Sequence, residues 1–175
     1  YADAEDYILR CRYETAKAQL ADGTEVSLKD AAEAFRALGD YQDSAAQAQE
    51  TDYQRAVLLL KAGDSTEAAK LFTALGAYKD CDVQLQACAY LDADALLKAG
   101  DYAAAQTAFE ALGDYEDAAD KAKLAIYEQG KAALAREDWD EALTLLTQAA
   151  DQQDAAALLI QAHYGKGLAL EQAGS

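Results

Sequence analysis

Three columns of side chains return every 37 residues: Phe35, Phe72, Phe109 and Leu146, then Tyr53, Tyr90, Tyr127 and Tyr164, then Asp43, Asp80, Asp117 and Asp154. Independent columns that keep one period mark stacked copies of a supersecondary unit, each burying its apolar face on the next. Such a chain has no single central core, so its 175 residues measure a number of repeats rather than a number of domains. Arrays of this kind work by presenting a surface to a partner, which makes enclosed catalysis the less natural expectation.

Within one period the unit reads as two helices. From Asp43-Ser44 to Ala62-Gly63 the chain has no breaker, opens on an N-cap type residue and closes on Lys61 and Gly63. This is helix A. Helix B follows Asp64-Ser65-Thr66-Glu67, where an Asp with Glu three residues later resembles a capping box, and carries Ala68, Leu71, Phe72 and Leu75 before stopping at Gly76. The Asp column, extended back to Asp3, stands where each helix A begins and reads as its N-cap. The first copy is stretched by Thr24-Glu25-Val26, an insertion that a surface turn tolerates.

The fold class expected is all-α, an α-solenoid of antiparallel helix pairs with about nine helices. Its units are 3–42, 43–79, 80–116 and 117–153, with a terminal helix at 154–174. Tyr1 and Asp3 stand to Tyr13 as Tyr41 and Asp43 stand to Tyr53, so the register opens inside a repeat and implies a piece of a longer protein.

Two small columns account for the pairing. Ala16, Ala56, Ala93, Gly130 and Gly167 lie on helix A, and Ala31, Ala68, Ala105 and Ala142 on helix B. They let the backbones approach, while the Phe column fills the space beyond. Cys11 and Cys88 share a column with Thr51, Ala125 and Ala162, and Cys81 shares one with Ala4, Ser44, Ala118 and Ala155. A thiol that alternates with Ala and Ser reads as a small packed side chain. Cys81 and Cys88 lie seven apart on one helix, too far for a disulfide. Reduced thiols favour the cytoplasm, although nothing else fixes the compartment.

Composition excludes several functions. There is no Pro and 52% of residues are hydrophobic, which favours helix over linker. A net charge of −17 opposes binding to nucleic acid or an anionic membrane, and no apolar run is long enough to insert into a bilayer. No catalytic residues, no metal and no cofactor are expected. The single histidine, His163, is placed with none of the cysteines, the calcium-loop spacing is absent, and there is neither a nucleophile motif nor a phosphate loop.

The run Ala99 to Ala105, with Phe109 and Leu112 after it, resembles the helix-turn-helix of tetratricopeptide repeats. Phe109 to Ala118 is similar to a variant found in many bacterial proteins, especially in Firmicutes. The resemblance implies a right-handed superhelix and a noncatalytic role in binding protein. The chain departs from the family in its longer period, in the missing closing proline, and in the polar helix A column Thr15, Arg55, Asp92, Gln129 and Lys166. That column is expected to be wet.

In such arrays helix A lines the concave side, and residues there that vary between copies are the candidates for specificity. They are Glu14, Gln54, Leu91 and Glu128, then Lys17, Val57, Asp94 and Lys131, then Glu50, Ala87 and Leu124. This mixture suits a peptide or helix with apolar anchors and some basic charge, and the alternative role is a regulatory or dimerising segment of a larger enzyme or membrane-anchored protein. The Tyr53, Tyr90, Tyr127 and Tyr164 column admits two readings: rings packed between hairpins with the hydroxyl on solvent or a backbone carbonyl, or an aromatic ladder gripping a peptide. The terminal helix, with Leu158, Leu159, Ile160 and Leu168, reads either as a cap on a monomer or as an edge for weak homodimerisation.

Overall fold

The computed structural model describes residues 2–152 and 154–174. Tyr1 and the side chain of Asp3, both part of the repeat register, lie outside the described residues. The protein is all-α, with nine helices among the described residues. They are α1 (Ala2–Asp22), α2 (Glu25–Leu38), α3 (Ser44–Lys61), α4 (Ser65–Leu75), α5 (Cys81–Ala99), α6 (Tyr102–Leu112), α7 (Ala118–Ala135), α8 (Trp139–Gln148) and α9 (Ala155–Gly174). Odd-numbered helices are the A helices of the sequence pattern and even-numbered ones the B helices. The chain divides into two compact units, Tyr1–Cys88 and Ala89–Ser175, with the boundary inside α5.

Each A–B pair is antiparallel. A short turn joins α3 to α4, yet Tyr53 in the middle of α3 meets Phe72 near the end of α4, and only reversal of the chain allows both. The small columns lie at this contact. Ala16, Ala31, Ala56, Ala68, Ala93, Ala105 and Ala142 are wholly inaccessible, as are Phe35, Phe72, Phe109 and Leu146.

Burial is organised locally, because the next A helix closes each hairpin. In the first unit, Ala48 of α3 joins the core of α1 and α2, and Cys81 and Cys88 of α5 join that of α3 and α4. In the second, Ala118, Ala122 and Ala125 of α7 close the α5–α6 core, and Ala155 and Ala162 of α9 close the α7–α8 core. The column containing Thr51, Cys88, Ala125 and Ala162 is therefore buried against the preceding hairpin. Cys11 shares that column and is exposed, contrary to the packed role expected of it, because no hairpin precedes α1 among the described residues.

The A-to-B turn uses one aspartate twice. At the end of α3, Gly63 N–H bonds to Leu60 O at 3.0 Å and Asp64 N–H to Leu59 O at 2.9 Å, the paired bonds of a Schellman ending. The Asp64 carboxylate then accepts from Glu67 N–H at 3.1 Å and caps α4. Asp101 and Asp138 repeat this cap on α6 and α8. Only half of the expected capping box forms, since the Asp64 N–H is already committed and the Glu67 carboxylate pairs with Lys70. The left-handed residue of this turn is Gly63 or Gly100 in two copies and Glu137 in the last, where a β-carbon at φ 61° costs about 1 kcal/mol.

The B-to-A turn contains the motif Gly-x-Tyr-x-Asp. Gly39, Gly76 and Gly113 sit near φ 56–60°, ψ −119 to −124°, a region closed to other residues. Gln42, Lys79 and Glu116 follow at φ 48–51° in the left-handed region. The next residue, Asp43 or Asp117, enters its helix with φ near −100° and ψ 23° and makes no side-chain cap. The N-cap role expected of the Asp column therefore does not hold at Asp43 and Asp117.

Candidate functional site

The Asp column pairs instead with the Tyr column. The hydroxyl of Tyr13 donates to Asp43, Tyr53 to Asp80, Tyr90 to Asp117 and Tyr127 to Asp154. Each bond runs from the middle of one A helix to the start of the next. The second carboxylate oxygen of Asp43 and of Asp80 accepts from Gln47 and Gln84 at 2.9 Å. The hydroxyls thus reach a carboxylate, where solvent or a backbone carbonyl was expected.

In the first three copies the ring is also held from two sides. Tyr13 lies edge-on to Phe35 at 5.7 Å and to Tyr41 at 5.9 Å. Tyr53 meets Phe72 and Tyr78, and Tyr90 meets Phe109 and Tyr115, with the same geometry. The turn tyrosines form a column legible in the sequence, but their stacking on the helix A ring carries no periodic signal of its own. Lysines add to the cluster from two different places. Lys79 of the turn sits 4.5 Å from the Tyr53 ring centre, and Lys121 of α7 sits 4.5 Å from that of Tyr90. The fourth copy, with Leu146 for Phe and Gln152 for the turn tyrosine, lacks both edge-on rings and keeps the Tyr127–Asp154 bond and a lysine, Lys131, over the ring.

The bond to Asp80, aided by burial, raises the Tyr53 hydroxyl pKa to about 12, and Asp43 does the same to Tyr13. Reciprocally, the tyrosine hydroxyls and then Gln47 and Gln84 hold Asp43 and Asp80 below the usual carboxylate range. For Lys121 burial pulls downward, but Asp94 and Tyr90 outweigh it and raise the ammonium pKa.

Tyr13 and Tyr127 are buried, and Tyr53 and Tyr90 partly so, whereas Tyr164 on α9 is 69% exposed. The candidate partner residues flank these rings. In the first unit Glu14 and Lys17 are exposed and pair at 3.4 Å, Gln54 is exposed and donates to Glu50, and Val57 is half-buried in the α3–α4 core. In the second, Leu91 and Leu124 lie on the surface, and Lys131 bridges to half-buried Glu128 at 2.8 Å while standing over Tyr127.

Asp94 and Glu50 have internal duties. Asp94 binds Lys121 at 2.6 Å and Lys98 at 2.5 Å, joining α5 to α7. Glu50 accepts from the Tyr78 hydroxyl at 2.7 Å and from Lys79. The polar column expected to be wet includes ties to the preceding B helix: Arg55 to Glu25 at 2.8 Å, Gln129 to Gln106 at 2.7 Å, and Lys166 to Asp140. Thr15, in the same column, donates to Cys11 O within its own helix.

No metal-binding group of three or more His, Cys, Asp or Glu occurs among the described residues, and no helix among them is long and apolar enough to cross a membrane. No family model, curated protein or solved structure matches the chain.

Proposed function

We propose that this protein is a noncatalytic interaction module, a tetratricopeptide-like α-solenoid whose A helices present a surface to a peptide or helix of a protein partner. One contrast carries the reading. The Tyr, Asp, Phe and small columns are spent on packing and on ties between helices through four copies, while the exposed positions beside each ring change chemistry: Glu14 and Lys17, then Gln54, then Leu91, then Lys131. Packing does not require that variation, and selective contact with a partner does. Exposed Leu91 and Leu124 offer apolar anchors, and the net charge of −17 favours a partner segment carrying basic residues.

The test is affinity capture with the parent chain and with a Leu91→Glu, Leu124→Glu, Lys131→Glu variant. All three side chains lie on the surface, so the variant keeps its circular dichroism and melting temperature. It loses the captured partner, and binding by the parent weakens with salt. A variant that captures the same partner equally well removes this face from the function.

A further inference from the structure

Tyr13, Tyr53, Tyr90 and Tyr127 each carry an ammonium over the ring, although the lysines that supply it come from three different columns. Lys17, four residues beyond Tyr13 on the same helix, stands 5.6 Å from that ring's centre, and Lys131 stands 5.1 Å from that of Tyr127. Lys79 reaches Tyr53 from the turn after α4, and Lys121 reaches Tyr90 from α7, both at 4.5 Å. A carboxylate accompanies every one, since Glu14, Glu128, Glu50 and Asp94 bind Lys17, Lys131, Lys79 and Lys121 in turn. Asp94 even stands in the column of Lys17 and Lys131, with the charge reversed. What recurs is a cation on an aromatic face with an acid beside it, not a residue at a position. Helix packing does not produce such drift, because the packing columns keep their period.

Over Tyr53 this slot is made of two partly exposed rings. Lys79 lies 4.5 Å from the centre of Tyr53 and 5.4 Å from that of Tyr78, and its side chain is 42% exposed. Glu50 accepts from the Tyr78 hydroxyl at 2.7 Å, which fixes its carboxylate beside the rings. We propose that this slot is a binding site for an arginine side chain of a protein partner, with Lys79 as its stand-in in the free chain. The proposal rests on the interaction module proposed for this chain and names the contact by which a basic partner is read. Lys79 shows which chemistry the slot accepts, and it is held weakly. An exposed ammonium over a ring and a surface ion pair together favour the filled slot by no more than about thirtyfold. A guanidinium fits better than an ammonium, because it is planar, stacks on an aromatic face, is less tightly hydrated and forks onto a carboxylate. The net charge of −17 draws such a residue in, while the displaced Lys79 moves into water.

The probe is a short peptide of arginines separated by glycine pairs, with a lysine version as its match. Each is titrated into the full chain carrying carbon-13-labelled tyrosine at about 0.15 M salt, and the Tyr53 ring signal, assigned with Tyr53→Phe, is followed by NMR. The expected result is a saturable shift, tighter for the arginine peptide than for the lysine one. Lys79→Gln tightens arginine binding about two- to fivefold more than Lys61→Gln, which removes the same charge from an exposed position about two turns along α3. A glutamine, Gln42, already holds the left-handed position of this turn in the first copy, so Lys79→Gln keeps the turn. Four results overturn the proposal: no Tyr53 shift at about 1 mM peptide, equal binding of the two peptides, equal tightening by the two substitutions, or weaker binding by Lys79→Gln. Partner capture through Leu91, Leu124 and Lys131 is read on the second unit by a different assay. A chain that captures its partner while Tyr53 stays silent therefore loses this site and keeps its function.

Discussion

Tyr53 and Asp80 are 27 residues apart, and their hydrogen bond shows what the two most regular polar columns do. The bond fastens the start of one A helix to the middle of the one before. A double-mutant cycle separates this role from capping. Asp80→Ala and Tyr53→Phe each lower the melting temperature by roughly 2–4 °C, and the effect of Asp80→Ala shrinks in the Tyr53→Phe background, where a pure N-cap would lose the same amount in both. The pH dependence has a definite sign. The folded state raises the Tyr53 hydroxyl pKa to about 12, so its contribution is complete below the ordinary value of about 10 and is lost as pH rises through about 12. Asp80 is held low, so its contribution is present above about pH 4 and is lost on acidification. Thermal melts across both limbs check this, and Tyr53→Phe flattens the alkaline one. Both columns were legible as periodic, but their partnership was not, because a periodic position records that a residue recurs and not which other column it touches.

At the scale of the element, the small column explains how two helices approach and why one copy differs. Three copies set Ala against Phe, while the fourth sets Gly130 against Leu146. The branched Leu146 occupies the space a β-carbon on residue 130 would need, at 2.8 Å from Cγ and 2.9 Å from Cδ2. Gly130→Ala alone is therefore destabilising by about 1 kcal/mol, since overpacking exceeds the gain in helix propensity. Adding Leu146→Phe, which restores the pairing of the other copies, recovers stability, and urea denaturation of the parent, the two single variants and the double variant measures it. The helices themselves were well marked. The segment read from Asp43-Ser44 to Ala62-Gly63 forms α3 at Ser44–Lys61, and the segment stopping at Gly76 forms α4 at Ser65–Leu75. The misjudged end was the start of helix A, where Gln42 and Glu116 are left-handed and the Asp43 and Asp117 side chains that follow make no cap to the backbone.

Among the described residues of each unit, an A-helix column is buried where it packs on the hairpin before it, and this makes equivalent residues unequal. Cys11 and Cys88 share a column, yet Cys88 is 1% exposed and Cys11 is open. Pulse alkylation of the native chain, read by mass spectrometry, labels Cys11 rapidly, while Cys81 and Cys88 are labelled only as the chain unfolds. Equal labelling of all three would mean that the α3–α4–α5 core opens readily. By itself the sequence determined the period, the alternation of long and short helices, and the residues that fill each hairpin, because those rest on local propensity and on spacing along one helix. Only the tertiary structure decided that Asp80 serves Tyr53 and that Asp94 and Glu50 are tied internally. Those outcomes depend on contacts between elements tens of residues apart, which spacing along one helix does not record.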